Sequence, residues 1–99
     1  MAHEVLVHED RVKEYLSSLD DEDEECKHTR KLSHLAENPY PGEGRGDKKQ
    51  IKGRDGPNNL FRIRSGDHRG LYQILDQDKE VLVWDFDRKE RFERRYNID

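Results

Sequence analysis

Residues Gly53 to Tyr72 read GRDGPNNLFRIRSGDHRGLY, and two short strands joined by a tight turn are legible in them. Phe61 and Ile63 alternate with Arg62 and Arg64. A strand has a period of two, so the apolar pair faces one side and the arginine pair the other. Ser65, Gly66 and Asp67 supply the turn. The chain then returns with Arg69, Leu71 and Gln73 on one face and Gly70, Tyr72 and Ile74 on the other. Antiparallel pairing lets Arg62, Arg64 and Arg69 share a surface. A polyanion is the natural ligand for such a surface, because Arg offers phosphate planar, bidentate contacts. Arginines on the solvent side of an amphipathic sheet are also ordinary, so the face alone does not name a ligand.

Reading toward the C-terminus, Asp76-Gln77-Asp78 is a hairpin turn. Val81-Leu82-Val83-Trp84 is a continuous apolar run, which predicts a central strand covered on both faces. Asp87 to Tyr96 is charged, with Phe92 and Tyr96 four apart, and predicts a short terminal helix. Toward the N-terminus, Glu4 to His8 (EVLVH) is a β-like run. Asp10 is placed to cap a helix whose Val12, Tyr15, Leu16 and Leu19 form one apolar stripe. Asp20 to Glu25 (DDEDEE) starts a second helix, capped by Asp20 or Asp21, since acids favour a helix N-terminus. Thr29, Leu32, Leu35 and Ala36 are its inward residues, and Asn38-Pro39 ends it. A loop rich in Pro and Gly then runs from Pro39 to Lys52. The expected fold is α+β: an N-terminal strand and a helical hairpin packed on a small antiparallel sheet, in one domain over residues 1–99.

Composition sets limits. Of the residues, 42% are charged and 30% hydrophobic, polar for a chain that must bury a core, so a partner that adds burial is compatible. No apolar run approaches the ~20 residues a membrane span needs, and the N-terminal MAHEVLVHED does not read as a signal peptide. A single cysteine, Cys26, excludes an internal disulfide and suits a reducing cytoplasm. Five scattered histidines show no zinc-ligand spacing, so no metal and no cofactor is expected. The net charge of −4 is unevenly spread. Residues 1–25 carry ten acids and two bases, a balance of −8, whereas residues 26–75 carry eleven bases and five acids, a balance of +6. The middle of the chain is therefore locally basic, and the local field governs phosphate recognition.

The run Ile51-Lys52-Gly53-Arg54-Asp55-Gly56, then Leu60 to Arg64, Gly66-Asp67, Arg69 and Tyr72, resembles toxins of the RelE/ParE superfamily. The resemblance extends over nearly the whole chain and implies the toxin half of a type II toxin–antitoxin system. In the RelE-like branch it implies a ribosome-dependent mRNA endonuclease that works without metal. Its partners would be a cognate antitoxin, in a hetero-oligomer, and the ribosome with its mRNA. Such an enzyme drives the 2′-hydroxyl onto the adjacent phosphorus, so it must hold the phosphate in line, neutralise its oxygens and move protons. Carried over by position, the catalytic set is Arg62, Arg64, Arg69 and Arg88, with Tyr96 replacing the family's C-terminal tyrosine. Lys48, Lys49, Lys52 and Arg54 are the expected RNA contacts. Asp87 and Phe92 stand where the family pattern has His and Tyr. That departure supports an alternative: a ParE-like toxin that binds DNA gyrase and cuts nothing, or a RelE-fold binding protein without activity.

Overall fold

The computed structural model describes residues 2–42, 47–51 and 59–97. Strand β1 (Glu4–Val7) leads into a helical segment, α1, that is π-helical over Glu9–Glu14 and α-helical over Tyr15–Ser17. Helix α2 (Glu22–Ser33) follows and closes with a 3-10 turn, His34–Ala36. Strands β2 (Lys48–Gln50), β3 (Leu60–Ser65), β4 (His68–Leu75) and β5 (Glu80–Arg88) come next, and helix α3 (Lys89–Tyr96) ends the described chain. The sheet order is β1-β5-β4-β3-β2. It is antiparallel except at one edge, where β1 runs parallel to β5. No helix among the described residues is long and apolar enough to cross a membrane.

Local sequence explains most element ends. Asp21 caps α2, its carboxylate accepting from the N–H groups of Asp23 and Glu24, which satisfies donors the helix cannot. Asp10 does not cap α1. His8 does, its ring Nδ1 accepting from the Arg11 N–H at 3.2 Å. Gly66 turns β3 into β4 at φ +60°, a region open to glycine.

The core lies between the sheet and the two N-terminal helices. Val12, Leu16, Leu32 and Leu35 from the helices meet Phe61, Ile63, Tyr72, Ile74, Val81, Val83 and Phe86 from the sheet. Each such side chain contributes about 1.5–3 kcal/mol by leaving water. Thr29 is exposed, and its neighbour His28 is buried in its place. Gly70 lets β4 pack tightly here, since a Cβ on it would sit 3.0 Å from Ile63 and 3.1 Å from Phe86.

Strand β5 departs from the sequence reading in an instructive way. Val81 and Val83 are buried, but Trp84 is 42% exposed, so the apolar run is not covered on both faces. The register steps from Tyr72↔Val83 to Leu71↔Asp85, which leaves Trp84 without a register partner in β4, although its indole N–H donates to Gln73 Oε1 at 3.1 Å. This β-bulge shifts the alternation by one residue. Phe86 thereby enters the helix-side core, and Asp85 and Asp87 turn to the opposite face.

Candidate functional site: an arginine face and a histidine pair

The sheet has two working sides. On the side away from α1 and α2, Arg64 pairs directly with Arg69, and Arg69 pairs with Asp87. One rung along, Lys49 pairs with Arg62, Arg62 with Leu71 and Leu71 with Asp85. The expected convergence of Arg62, Arg64 and Arg69 is thus present, with Lys49 joining them. Their exposure differs: Arg62 and Arg69 are buried, and Arg64 is exposed. Arg69 Nη1 donates to the carbonyls of Gly66 (2.9 Å) and His68 (2.7 Å), which pins its guanidinium to the β3–β4 turn.

Helix α3 packs on this same side and carries its own charges to it. Arg95 donates to both Asp85 and Asp87. Tyr96 OH donates to Asp85 Oδ2 at 2.5 Å. The other oxygens accept backbone N–H groups, Asp85 from Phe86 and Asp87 from Arg88. Both carboxylates are buried and multiply bonded, as buried charge requires. Burial first, and the bond to Asp85 second, push the Tyr96 hydroxyl up to about 12. Tyr96 therefore keeps its proton at neutral pH.

Two candidates do not join this face. Arg88 pairs with His68 in the sheet and reaches Asp67 at 3.8 Å, on the helix side. It is the last residue of β5 rather than a residue after it. Lys48 also points to the helix side, where its Nζ donates to the Asn38 carbonyl at 2.5 Å. Both shifts follow from strand alternation, Arg88 by way of the bulge. Lys52 and Arg54 lie outside the described residues.

The helix side holds a cluster that sequence reasoning missed. His28 and His68, forty residues apart, meet with ring centroids 4.4 Å apart and their planes tilted by 52°. His28 Nδ1 meets Ser65 Oγ at 2.6 Å, and Glu24 Oε2 lies 2.9 Å from its Nε2. His68 bonds Asp67 through Nδ1 and Tyr15 OH through Nε2, both at 2.9 Å. Burial, then the neighbouring His68, lowers the His28 pKa. The bond from His68 holds the Asp67 carboxyl below its usual value. One signal was available: His28 sits at i+4 from Glu24 and i−4 from Leu32, on the inward stripe of α2.

Residues 9–91 match the family described as ParE toxin of type II toxin-antitoxin system, parDE. The chain belongs to that toxin family. Among solved structures it is similar to the archaeal RelE of the RelE–RelB complex from Pyrococcus horikoshii, at 26% identity and a TM-score of 0.72, over 92% of this chain and 99% of that one. A toxin–antitoxin complex from Mycobacterium tuberculosis matches at 18% identity and a TM-score of 0.69, over 89% of this chain and 92% of that one. A mutant of the E. coli toxin RelE in the free state matches at 23% identity and a TM-score of 0.59, over 97% and 93%. The last two likenesses concern the fold alone. Comparison with curated protein sequences gives no significant match.

Proposed function

We propose that this toxin stops translation by cutting mRNA on the ribosome, and that the arginine face is the surface that holds the RNA. The observation that carries the reading is the convergence of Arg62, Arg64, Arg69 and Lys49 on adjacent rungs of one side of the sheet. Exposed Arg64 is the first contact for a phosphate, and the buried Arg62 and Arg69 add positive potential behind it. Charge of that sign stabilises the extra negative charge of an in-line attack by the 2′-hydroxyl, which yields a 2′,3′-cyclic phosphate and a 5′-hydroxyl. Tyr96, with its proton held, serves as a donor to the leaving oxygen once its bond to Asp85 is released, and not as the base, so the 2′-hydroxyl proton passes to water. The guanidiniums stay protonated and cannot replace a base. Chemistry is accordingly slow, and no metal or cofactor takes part in it.

The partner that restrains the toxin is a cognate antitoxin in a hetero-oligomer, as the archaeal RelE is found with RelB. The setting is the cytoplasm, where ribosomes are. A second reading, a ParE-like toxin that binds gyrase without cutting, is favoured by the family match and by the commitment of Tyr96 to Asp85. Primer extension on a defined mRNA in a purified translation system separates the two. Cuts inside codons that require ribosomes support the nuclease. An uncut message, together with inhibition of gyrase supercoiling by the same folded protein, favours the second reading.

A further inference from the structure

The cluster on the helix side has the makings of a metal centre. One ligand atom from each of His28, Asp67 and His68 lies within 4.8 Å of the others. A tetrahedral zinc-class ion with bonds of about 2.0–2.1 Å holds its ligands about 3.3 Å apart, so a modest contraction closes the set. Glu24 Oε2 lies 2.9 Å from His28 Nε2, next to this set of three, and is the candidate for a fourth ligand. That nitrogen is buried, and the Glu24 carboxylate is its partner.

The surroundings resemble those of known metal histidines. Ligating histidines are oriented by a hydrogen bond from the other ring nitrogen. Here His28 Nδ1 is 2.6 Å from Ser65 Oγ and His68 Nε2 is 2.9 Å from Tyr15 OH. An entry path exists as well. Glu24, Asp67 and His68 line a cleft of about 410 Å³ that Asp20 and Asp21 also border. Those acids attract a cation. Arg88, on the same wall, stands 3.8 Å from Asp67 and has to release that contact.

We propose that His28 Nε2, His68 Nδ1, Asp67 and Glu24 form a site for one divalent transition ion of the zinc class, tying α2 to the β3–β4 turn. Imidazole with carboxylate is a donor set such ions accept. The site is on the opposite side of the sheet from the arginine face and does not rest on the nuclease reading.

The probe is Co²⁺ alone, added to tag-free, chelator-treated full chain, followed by competition with Zn²⁺. The expected result is one Co²⁺ per chain with tetrahedral d–d absorption, displaced by Zn²⁺, and a higher Tm in Zn²⁺. Asp67 and Glu24 have exposed side chains, so Asp67→Asn and Glu24→Gln keep the fold, checked by circular dichroism. Each is expected to weaken Co²⁺ binding about tenfold or more. Absence of stoichiometric tetrahedral binding overturns the proposal. So does binding that survives both substitutions unchanged, or that is lost instead on changing the exposed His34.

Discussion

On the helix side of the sheet an apolar core adjoins a histidine pair whose every ring nitrogen has a neighbour within 3 Å. On the α3 side, arginines and aspartates stand in rows, with Asp85 and Asp87 bound by Arg95 and Arg64 left exposed. The first side is mostly packed apolar core, and the second is mostly charge. A single bulge at Trp84 makes the division, by sending Phe86 to one side and the two aspartates to the other. A chain of this size can therefore keep a packed core and a charged surface on the two sides of one sheet.

The largest expected effect is on the helix side. Phe86→Ala removes a ring that packs on His28, His68 and Tyr15. It is expected to cost about 3–5 kcal/mol in urea unfolding. On the α3 side, Asp85→Ala leaves Arg95 and Tyr96 without their shared acceptor and is expected to cost about 2–3 kcal/mol. A loss below about 0.5 kcal/mol in either case breaks the contrast drawn above.

Tyr96→Phe sharpens it more gently, with an expected loss of about 1 kcal/mol near neutral pH. Folded Tyr96 holds its proton up to about 12, whereas an unfolded tyrosine ionises near 10. Above about pH 10 the unfolded chain sheds a proton that the folded chain keeps, so stability falls as pH rises toward 12. The wild type should show a steeper alkaline fall than Tyr96→Phe in denaturation midpoints taken from pH 8 to 12. The smallest expected effect on stability is that of Arg64→Ala, within about 0.5 kcal/mol, because the side chain is exposed.

The hairpin was legible because Phe61 and Ile63 alternate with Arg62 and Arg64 ahead of a Gly turn, and the structure places β3 and β4 at Leu60–Ser65 and His68–Leu75. The two helices were legible from their apolar stripes and from Asp21. What could not be read was the bulge, since Val81–Trp84 carries no Gly or Pro to mark it. Every face assignment after Trp84 depends on that residue, and the bulge puts Arg88, grouped with the other arginines by resemblance, on the opposite side of the sheet. The histidine pair was hidden for a different reason: His28 and His68 lie forty residues apart and meet only when α2 settles on the sheet. Composition also says nothing of how Asp85 and Asp87 are shared between Arg95 and Tyr96.

The central claim is that function belongs to the α3 side of the sheet, and one comparison tests it directly. Arg64→Ala and Arg88→Ala each remove one exposed arginine, from opposite sides. Ribosome-dependent mRNA cleavage by the two variants and the wild type is the measurement. The account predicts a loss of about tenfold or more for Arg64→Ala and near-wild-type cutting for Arg88→Ala. The reverse pattern, with Arg88 essential and Arg64 dispensable, would contradict it.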